Sequence, residues 1–200
     1  MPAEPATRTR YADYLERERI AATKHEFVDG LVIAMAGGSP EHARLAGSLA
    51  RLLGNATTDR PCAVFSSDLR VRIVETNRST YPDLTVVCDR RETAPDDSEA
   101  IVNPTIIVEV LSDSTEADDR GEKFAHYRRL ASLREYVLVA QKTQRVEVYH
   151  REAGREAGRE AGRETDRWVL TEYGPGMRVE LSSIEAQIPV DDIYRDPLAG

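Results

Sequence analysis

Cysteine is scarce in this chain, with only Cys62 and Cys88 among 200 residues. Neither belongs to a CxxC pair or a Cys/His cluster, so a zinc finger or ribbon is excluded. Both lie in apolar, strand-like surroundings, where buried and reduced thiols are expected. Long hydrophobic runs are missing too. No stretch approaches the length of a membrane span, and the opening MPAEPATRTR carries no apolar leader core, so the expected compartment is the cytoplasm. A glycine-rich phosphate loop, a Ser/His/Asp nucleophile set and a haem motif are all absent, and His25, His42, His126 and His150 lack metal-ligand spacing. Positive charge is in deficit as well, with 27 Lys and Arg against 35 Asp and Glu, a net charge of −8. Affinity for nucleic acid comes mainly from clustered Lys and Arg, so this balance opposes tight DNA binding by one copy. Arg70, Arg72, Arg78, Arg128 and Arg129 remain candidates for one basic face.

What is present suits one compact unit. Hydrophobic residues make up 40% of the chain, enough for one sizeable core, so residues 1–200 read as a single domain. Arg10 to Arg19 reads as a short amphipathic helix with Tyr11, Tyr14 and Leu15 on one side. Asp29-Gly30 between Phe27-Val28 and Leu31-Val32-Ile33 suits the positive φ angles of a tight hairpin turn. Ser39 caps a second helix, with Pro40 at its first position, Leu45, Leu49, Leu52 and Leu53 on its buried face and Gly54 as its stop. Strands follow around Ala63 and from Leu69 to Val74, then a polar loop ending at Tyr81. Later strands are read near Glu135–Ala140, Arg145–His150, Arg167–Tyr173 and Met177–Leu181. The mixture predicts an α/β (α+β) fold with a central mixed sheet flanked by helices.

Two acidic residues stand out because each sits in a β-favouring run, Asp83 in YPDLTVV and Glu109 in PTIIVEVL. An ionised carboxylate there must be paired, hydrogen-bonded, bound to a metal or turned out at a sheet edge. Two converging carboxylates suit Mg²⁺, which takes one or two of them and completes its shell with water and substrate phosphate. Lys123 follows on a helix read from Glu116 to Leu130, capped near Ser114-Thr115 with Asp118 in a near capping box. Asp119, Lys123 and Tyr127 share one face of it. Two readings of that face stand side by side. Lys123 either orients or deprotonates a water near a metal and offsets phosphate charge, or forms an ordinary solvated pair with Asp119.

These segments carry a resemblance. YPDLTVV, PTIIVEVLSDST and DDRGEKFAHYRRLASLREYVLV, in this order, resemble the Uma-type restriction endonuclease family, a branch of the PD-(D/E)XK nuclease superfamily. Pro82-Asp83 stands at the PD and Glu109 at the first position of (D/E)XK. Leu111 occupies the place of the motif's lysine, and the resemblance implies a lysine migrated to the next helix, Lys123. HEFVDGLVIAM with Glu26 and SPEHARLAGSLARLL with His42 resemble two upstream blocks, and the likeness covers roughly residues 10 to 195. Val137 and Ala140 depart from it, standing where many relatives are expected to have tryptophan and aspartate. The resemblance implies a restriction-endonuclease-like core and DNA cleavage with Mg²⁺, Mn²⁺ substituting. Asp83 and Glu109 would be metal ligands and Lys123 and Glu26 catalytic. A homodimer is expected on separate grounds, because two symmetric sites are the simplest way to cut both strands of a duplex. The rival readings are a non-catalytic nucleic-acid-binding or interaction module, and a hydrolase of another phosphate ester.

Other features have plainer readings. His42 falls at a helix N-terminus, either near phosphate or as a wet surface histidine. Asp68, Asp118 and Asp119 are candidate supporting acids. REAGREAGREAGRE, from Arg151 to Glu164, is a tandem four-residue unit with no apolar stripe, expected as a hairpin extension spanning 151–166 that tolerates deletion.

Overall fold

The computed structural model describes residues 8–35, 37–152 and 167–198. Helix α1 (Tyr11–Glu18) leads into strands β1 (His25–Val28) and β2 (Leu31–Ala34), and α2 (Pro40–Ala56) follows. Next come β3 (Cys62–Ser66), β4 (Arg70–Ile73), β5 (Arg78–Thr80), β6 (Leu84–Cys88), β7 (Thr93–Ala94), β8 (Asp97–Ile101) and β9 (Ile106–Leu111). The helical segment 116–127 is α-helical over α3 (Glu116–Asp118), π-helical over Asp119–Lys123 and α-helical again over α4 (Phe124–Tyr127). The chain closes with β10 (Glu135–Ala140), β11 (Val146–Arg151), β12 (Trp168–Tyr173), β13 (Arg178–Leu181), β14 (Ala186–Pro189) and α5 (Val190–Tyr194).

The strands form two mixed six-stranded sheets, ordered β2-β1-β5-β4-β8-β7 and β12-β11-β10-β9-β6-β3, with β13 and β14 paired apart. In the second sheet β9 runs parallel to β10 and antiparallel to β6. Every residue of β9 and of β10 is buried, as expected of strands covered on both faces, which read as unbroken apolar runs rather than alternations. On one face Val108 and Val110 join Leu45, Leu49 and Leu53 of α2. On the other, Ile107 and Leu111 join Val71 and Ile73 of the first sheet and Tyr127 of α4. Glu109 lies between Ile107 and Leu111 on that second face, because side chains alternate along a strand.

The hairpin turn at Asp29-Gly30 has φ of 43° and 94°, the left-handed conformation its sequence calls for. Ser39 caps α2 through its hydroxyl, which accepts from the His42 amide at 3.1 Å. Four expectations need correcting. The α2 helix passes Gly54 and ends at Thr57, whose hydroxyl donates to the Leu53 carbonyl. The supposed polar loop before Tyr81 contains β5, whose three polar residues are all buried between β1 and β4. Thr115 makes no side-chain cap, and Asp118 pairs with Arg78 at 3.1 Å instead. Cys62 and Cys88 are not free thiols but a disulfide, because the antiparallel register of β3 and β6 sets them directly opposite, Cα to Cα 3.9 Å. The repeat tract lies, over 153–166, outside the described residues.

Candidate active site

The register of β6 and β9 assembles the first half of the site. Leu84 pairs with Val108, so Asp83, just before β6, stands beside Glu109 in the middle of β9. The two residues interlock. The Asp83 amide donates to Glu109 Oε2 at 3.3 Å, and the Val110 amide donates to Asp83 Oδ2 at 2.7 Å. Each carboxylate thus satisfies a backbone donor at the sheet's interrupted ladder.

The helical segment supplies the second half. A π turn carries an extra residue per turn and is common at functional sites, and here it turns both Asp119 and Lys123 inward, 2% and 8% exposed. Tyr136 secures it by donating to the Asp119 carbonyl at 2.9 Å. Lys123 Nζ lies 3.0 Å from Asp119 Oδ1, 3.2 Å from Glu109 Oε1 and 3.4 Å from Glu26 Oε1. The pair is therefore not a solvated surface pair. Glu26 arrives from β1 of the other sheet, so the ammonium joins both sheets. Tyr127 donates to Glu109 Oε1 at 3.0 Å and lies 3.0 Å from the Thr80 hydroxyl. Leu111, where a lysine of the strand motif would stand, is instead part of the apolar cluster, and Lys123 brings its charge from the helix.

Electrostatically the site is short of positive charge. Glu26, Glu109 and Asp119 meet one lysine and Asp83 meets His42, while Arg78 is shared between Glu26 at 3.5 Å and Asp118. Burial, with the Asp83, Asp119 and Glu26 charges added, pushes Glu109 up to about 8 despite Lys123. Burial also raises Asp119. Burial by itself would lower Lys123, but Glu109, Glu26 and Asp119 outweigh it and hold the ammonium well above its ordinary value. These neighbours favour the charged form of Lys123.

Among the described residues no three His, Cys, Asp or Glu side chains are grouped so as to enclose a metal ion by themselves. Two adjacent carboxylates are nevertheless as many as the protein need lend to a Mg²⁺ ion, whose other ligands would be water and phosphate. The oxygen-only donors and the charge deficit around Glu109 fit a divalent cation.

Sequence reading brought Asp83, Glu109, Lys123 and Glu26 forward, and the fold brings all four together. His42 is a different case. It does not face open solvent, because Nε2 lies 2.9 Å from Asp83 Oδ1, and that bond holds the imidazolium above its usual value against partial burial. No local signal announces a contact between residues 41 positions apart. The predicted basic face is reduced to Arg128 and Arg129, which are exposed. Arg70, Arg72 and Arg78 are 8%, 3% and 2% exposed and engaged with Asp97, Asp96, Glu26 and Asp118.

Residues 11–182 match the sequence profile of Uma2, described as "putative restriction endonuclease". The chain belongs to the Uma2 family. Two relatives from Synechocystis sp. bear only the descriptions uncharacterized protein slr1290 and uncharacterized protein sll1609. The first is 35% identical over 194 residues, spanning 97% of this chain and 95% of the relative. The second is 37% identical over 172 residues, spanning 86% and 91%. Among solved structures, a "putative nuclease belonging to DUF820" from Anabaena variabilis superposes with a TM-score of 0.72 at 15% identity, covering 92% of this chain and 96% of that one. At that identity the likeness speaks for the shared fold alone. The Uma2 profile spans the positions of Glu26, Asp83, Glu109 and Lys123. Among the described residues no helix is long and apolar enough to cross a membrane.

Proposed function

We propose that this Uma2 protein is a divalent-metal-dependent endonuclease, a single PD-(D/E)XK-like domain that hydrolyses DNA phosphodiester bonds by direct attack of water. The observation that carries this reading is the meeting of Asp83, just before β6, with Glu109 of the adjacent β9, and Lys123 delivered to Glu109 from a π turn. Asp83 and Glu109 would hold Mg²⁺, with Mn²⁺ able to substitute. Such an ion supplies Lewis acidity toward phosphoryl oxygens and acidifies water. The chain's own residues do the rest. Lys123, kept protonated by its three carboxylates, would orient the attacking water and offset charge that grows on the phosphate as the bond to the leaving oxygen breaks, the proton lost by the water and the one gained by the leaving oxygen being exchanged with solvent. Glu26 anchors Lys123 from the opposite sheet, and Tyr127 fixes Glu109 Oε1. Hydrolysis of this kind needs no covalent intermediate. Two such sites in a homodimer would serve the two strands of a duplex.

Supercoiled plasmid and single-stranded DNA incubated with Mg²⁺ or Mn²⁺ test the reading, with wild type beside folded Asp83→Asn, Glu109→Ala and Lys123→Ala. Cleavage by wild type alone supports it, and an active Glu109→Ala protein sinks it. The net charge of −8 and the buried arginines favour the rival of a non-catalytic module. That rival gains if the wild type neither cleaves nor binds Mn²⁺ in calorimetry. Metal binding without cleavage directs attention to other phosphate esters.

A further inference from the structure

The side of Asp83 away from Glu109 is built with as much detail as the side toward it. Asp83 Oδ2 is fixed by the Val110 amide, and Oδ1 meets His42 Nε2 at 2.9 Å. Both side chains are largely covered, 19% exposed for His42 and 17% for Asp83. Behind the imidazole stands Gln141, at the end of β10, with its Nε2 3.5 Å from His42 Nδ1. Gln141 is itself pinned twice, donating to the Leu111 carbonyl at 2.7 Å and accepting from the Ser39 hydroxyl at 2.8 Å. Ser39 in turn caps α2 on the His42 amide. Gly38 closes the cradle. A Cβ there would come within 2.8 Å of His42 Cδ2 and 3.0 Å of Cγ, so only glycine lets the ring lie where it does. Three elements, the start of α2 and the ends of β9 and β10, thus converge on one imidazole that has no apolar core to fill.

We propose that His42 is a positioning residue for Asp83. Seated against Gly38 and backed by Gln141, it holds Oδ1 while the Val110 amide holds Oδ2, so that the carboxylate keeps one orientation beside Glu109. The inference rests on the metal-site reading of Asp83. Groups that hold a ligand carboxylate from behind typically matter by tenfold to a hundredfold in metal affinity or rate, because the ligand is otherwise free to rotate away. Gly38, Gln141 and Ser39 act through His42.

The test is Mn²⁺ binding by calorimetry at fixed pH on the full chain, comparing wild type with His42→Ala, His42→Gln and Gly38→Ala. His42→Ala and Gly38→Ala should each weaken binding by about tenfold or more, and His42→Gln, whose amide can donate from near the Nε2 position, should recover most of it. In DNA cleavage His42→Ala should need about tenfold more Mn²⁺ for half-maximal rate, yet come within about twofold of wild type at saturation. A metal-free readout runs alongside, in which the His42 ring ¹⁵N resonances should move in both Asp83→Asn and Gln141→Ala. Should wild type bind Mn²⁺ and His42→Ala bind it equally well, the proposal falls while the nuclease reading stands. Should wild type bind no Mn²⁺, the metal reading fails and takes this one with it. Ring resonances indifferent to both substitutions overturn it independently. Gly38→Ala and His42→Gln keep the test decisive if His42→Ala does not fold.

Discussion

Two clusters of buried charge lie in this protein, and they are built on opposite principles. In the first sheet Arg70 makes a two-pronged contact with Asp97, at 2.9 and 3.1 Å, and also donates to Tyr81 and Glu99. Tyr11 adds a bond to Asp97, and Arg72 reaches Asp96 and Asn77 while lying over the Tyr11 ring. Burial pushes Asp97 up, but Arg70, the Glu99 amide and Tyr11 more than offset it and hold the carboxyl below its ordinary value. The cluster around Lys123 is equally buried and comes out the other way, with Glu109 raised to about 8. The difference is charge balance. One group of carboxylates has its full complement of guanidinium donors, whereas Glu26, Glu109 and Asp119 share the Lys123 ammonium, with Arg78 3.5 Å from Glu26 and His42 turned to Asp83. A balanced cluster is an anchor, and an under-compensated one is what the proposed cation site would need.

The sharpest way to break this contrast is to remove a carboxylate from the unbalanced side. Asp83→Asn or Glu109→Ala should lower DNA cleavage by at least about a thousandfold, since the ligand's share of transition-state stabilisation is several kcal/mol. Circular dichroism should show the fold intact. Loss of the fold in both would place the cluster among the anchors instead.

Next in size is the balanced side. Arg70→Met strands Asp97 in the interior without its partner, and breaking a buried pair from one side costs about 3–5 kcal/mol. Urea unfolding should show that loss, with Mn²⁺ binding by the remaining folded protein unchanged. A loss under about 1 kcal/mol would mean that the Asp97 network is no anchor.

A smaller effect separates the clusters by pH. Glu109 has a folded value above its unfolded one, so its contribution to stability is present below about 4.5 and is lost as pH rises toward about 8. Asp97 has the reverse sign, contributing above its ordinary carboxylate value and losing that as pH falls. Metal-free Glu109→Gln, which carries the neutral form permanently, should therefore be more stable than wild type at pH 8 and little different near pH 4.5. Mn²⁺ should narrow the gap by stabilising wild type alone. Parallel stability curves for the two proteins from pH 4.5 to 8 would remove the claim that Glu109 is under-compensated.

Much of this contrast is legible in the chain, and the remainder is hidden for definite reasons. Asp83, Glu109 and Lys123 announce themselves because a charge within an unbroken β run, or at helical spacing from another charge, conflicts with local expectation. Glu26 becomes visible only through the resemblance, since a lone acid at a hairpin looks like any surface charge. The arginines of β4 and β5 are misread as a basic face because RVRI and RST alternate as half-exposed strands would. Their burial depends on Asp96, Asp97 and Glu26, which the fold supplies from far along the chain. The disulfide is a matter of strand register, and β7 and β8 are too polar to register as strands at all. His42 is missed because its partners, Asp83 and Gln141, are 41 and 99 positions away.

The smallest effect concerns charge that is balanced by the sequence itself. Each REAG unit carries one Arg and one Glu, so deleting residues 155–162 removes two of each and keeps the net charge of −8. The strands on either side are joined by their own ladder, Arg151 opposite Trp168, so the connection only has to close. Roughly halving its length lowers the closure cost by about 0.6 kcal/mol. The deleted protein should match or slightly exceed wild type in urea unfolding, with Mn²⁺ affinity and cleavage unaltered. A destabilisation beyond about 1 kcal/mol, or a drop in DNA cleavage at low salt that high salt erases, would instead make the tract's arginines part of the DNA-binding surface that the buried arginines do not provide.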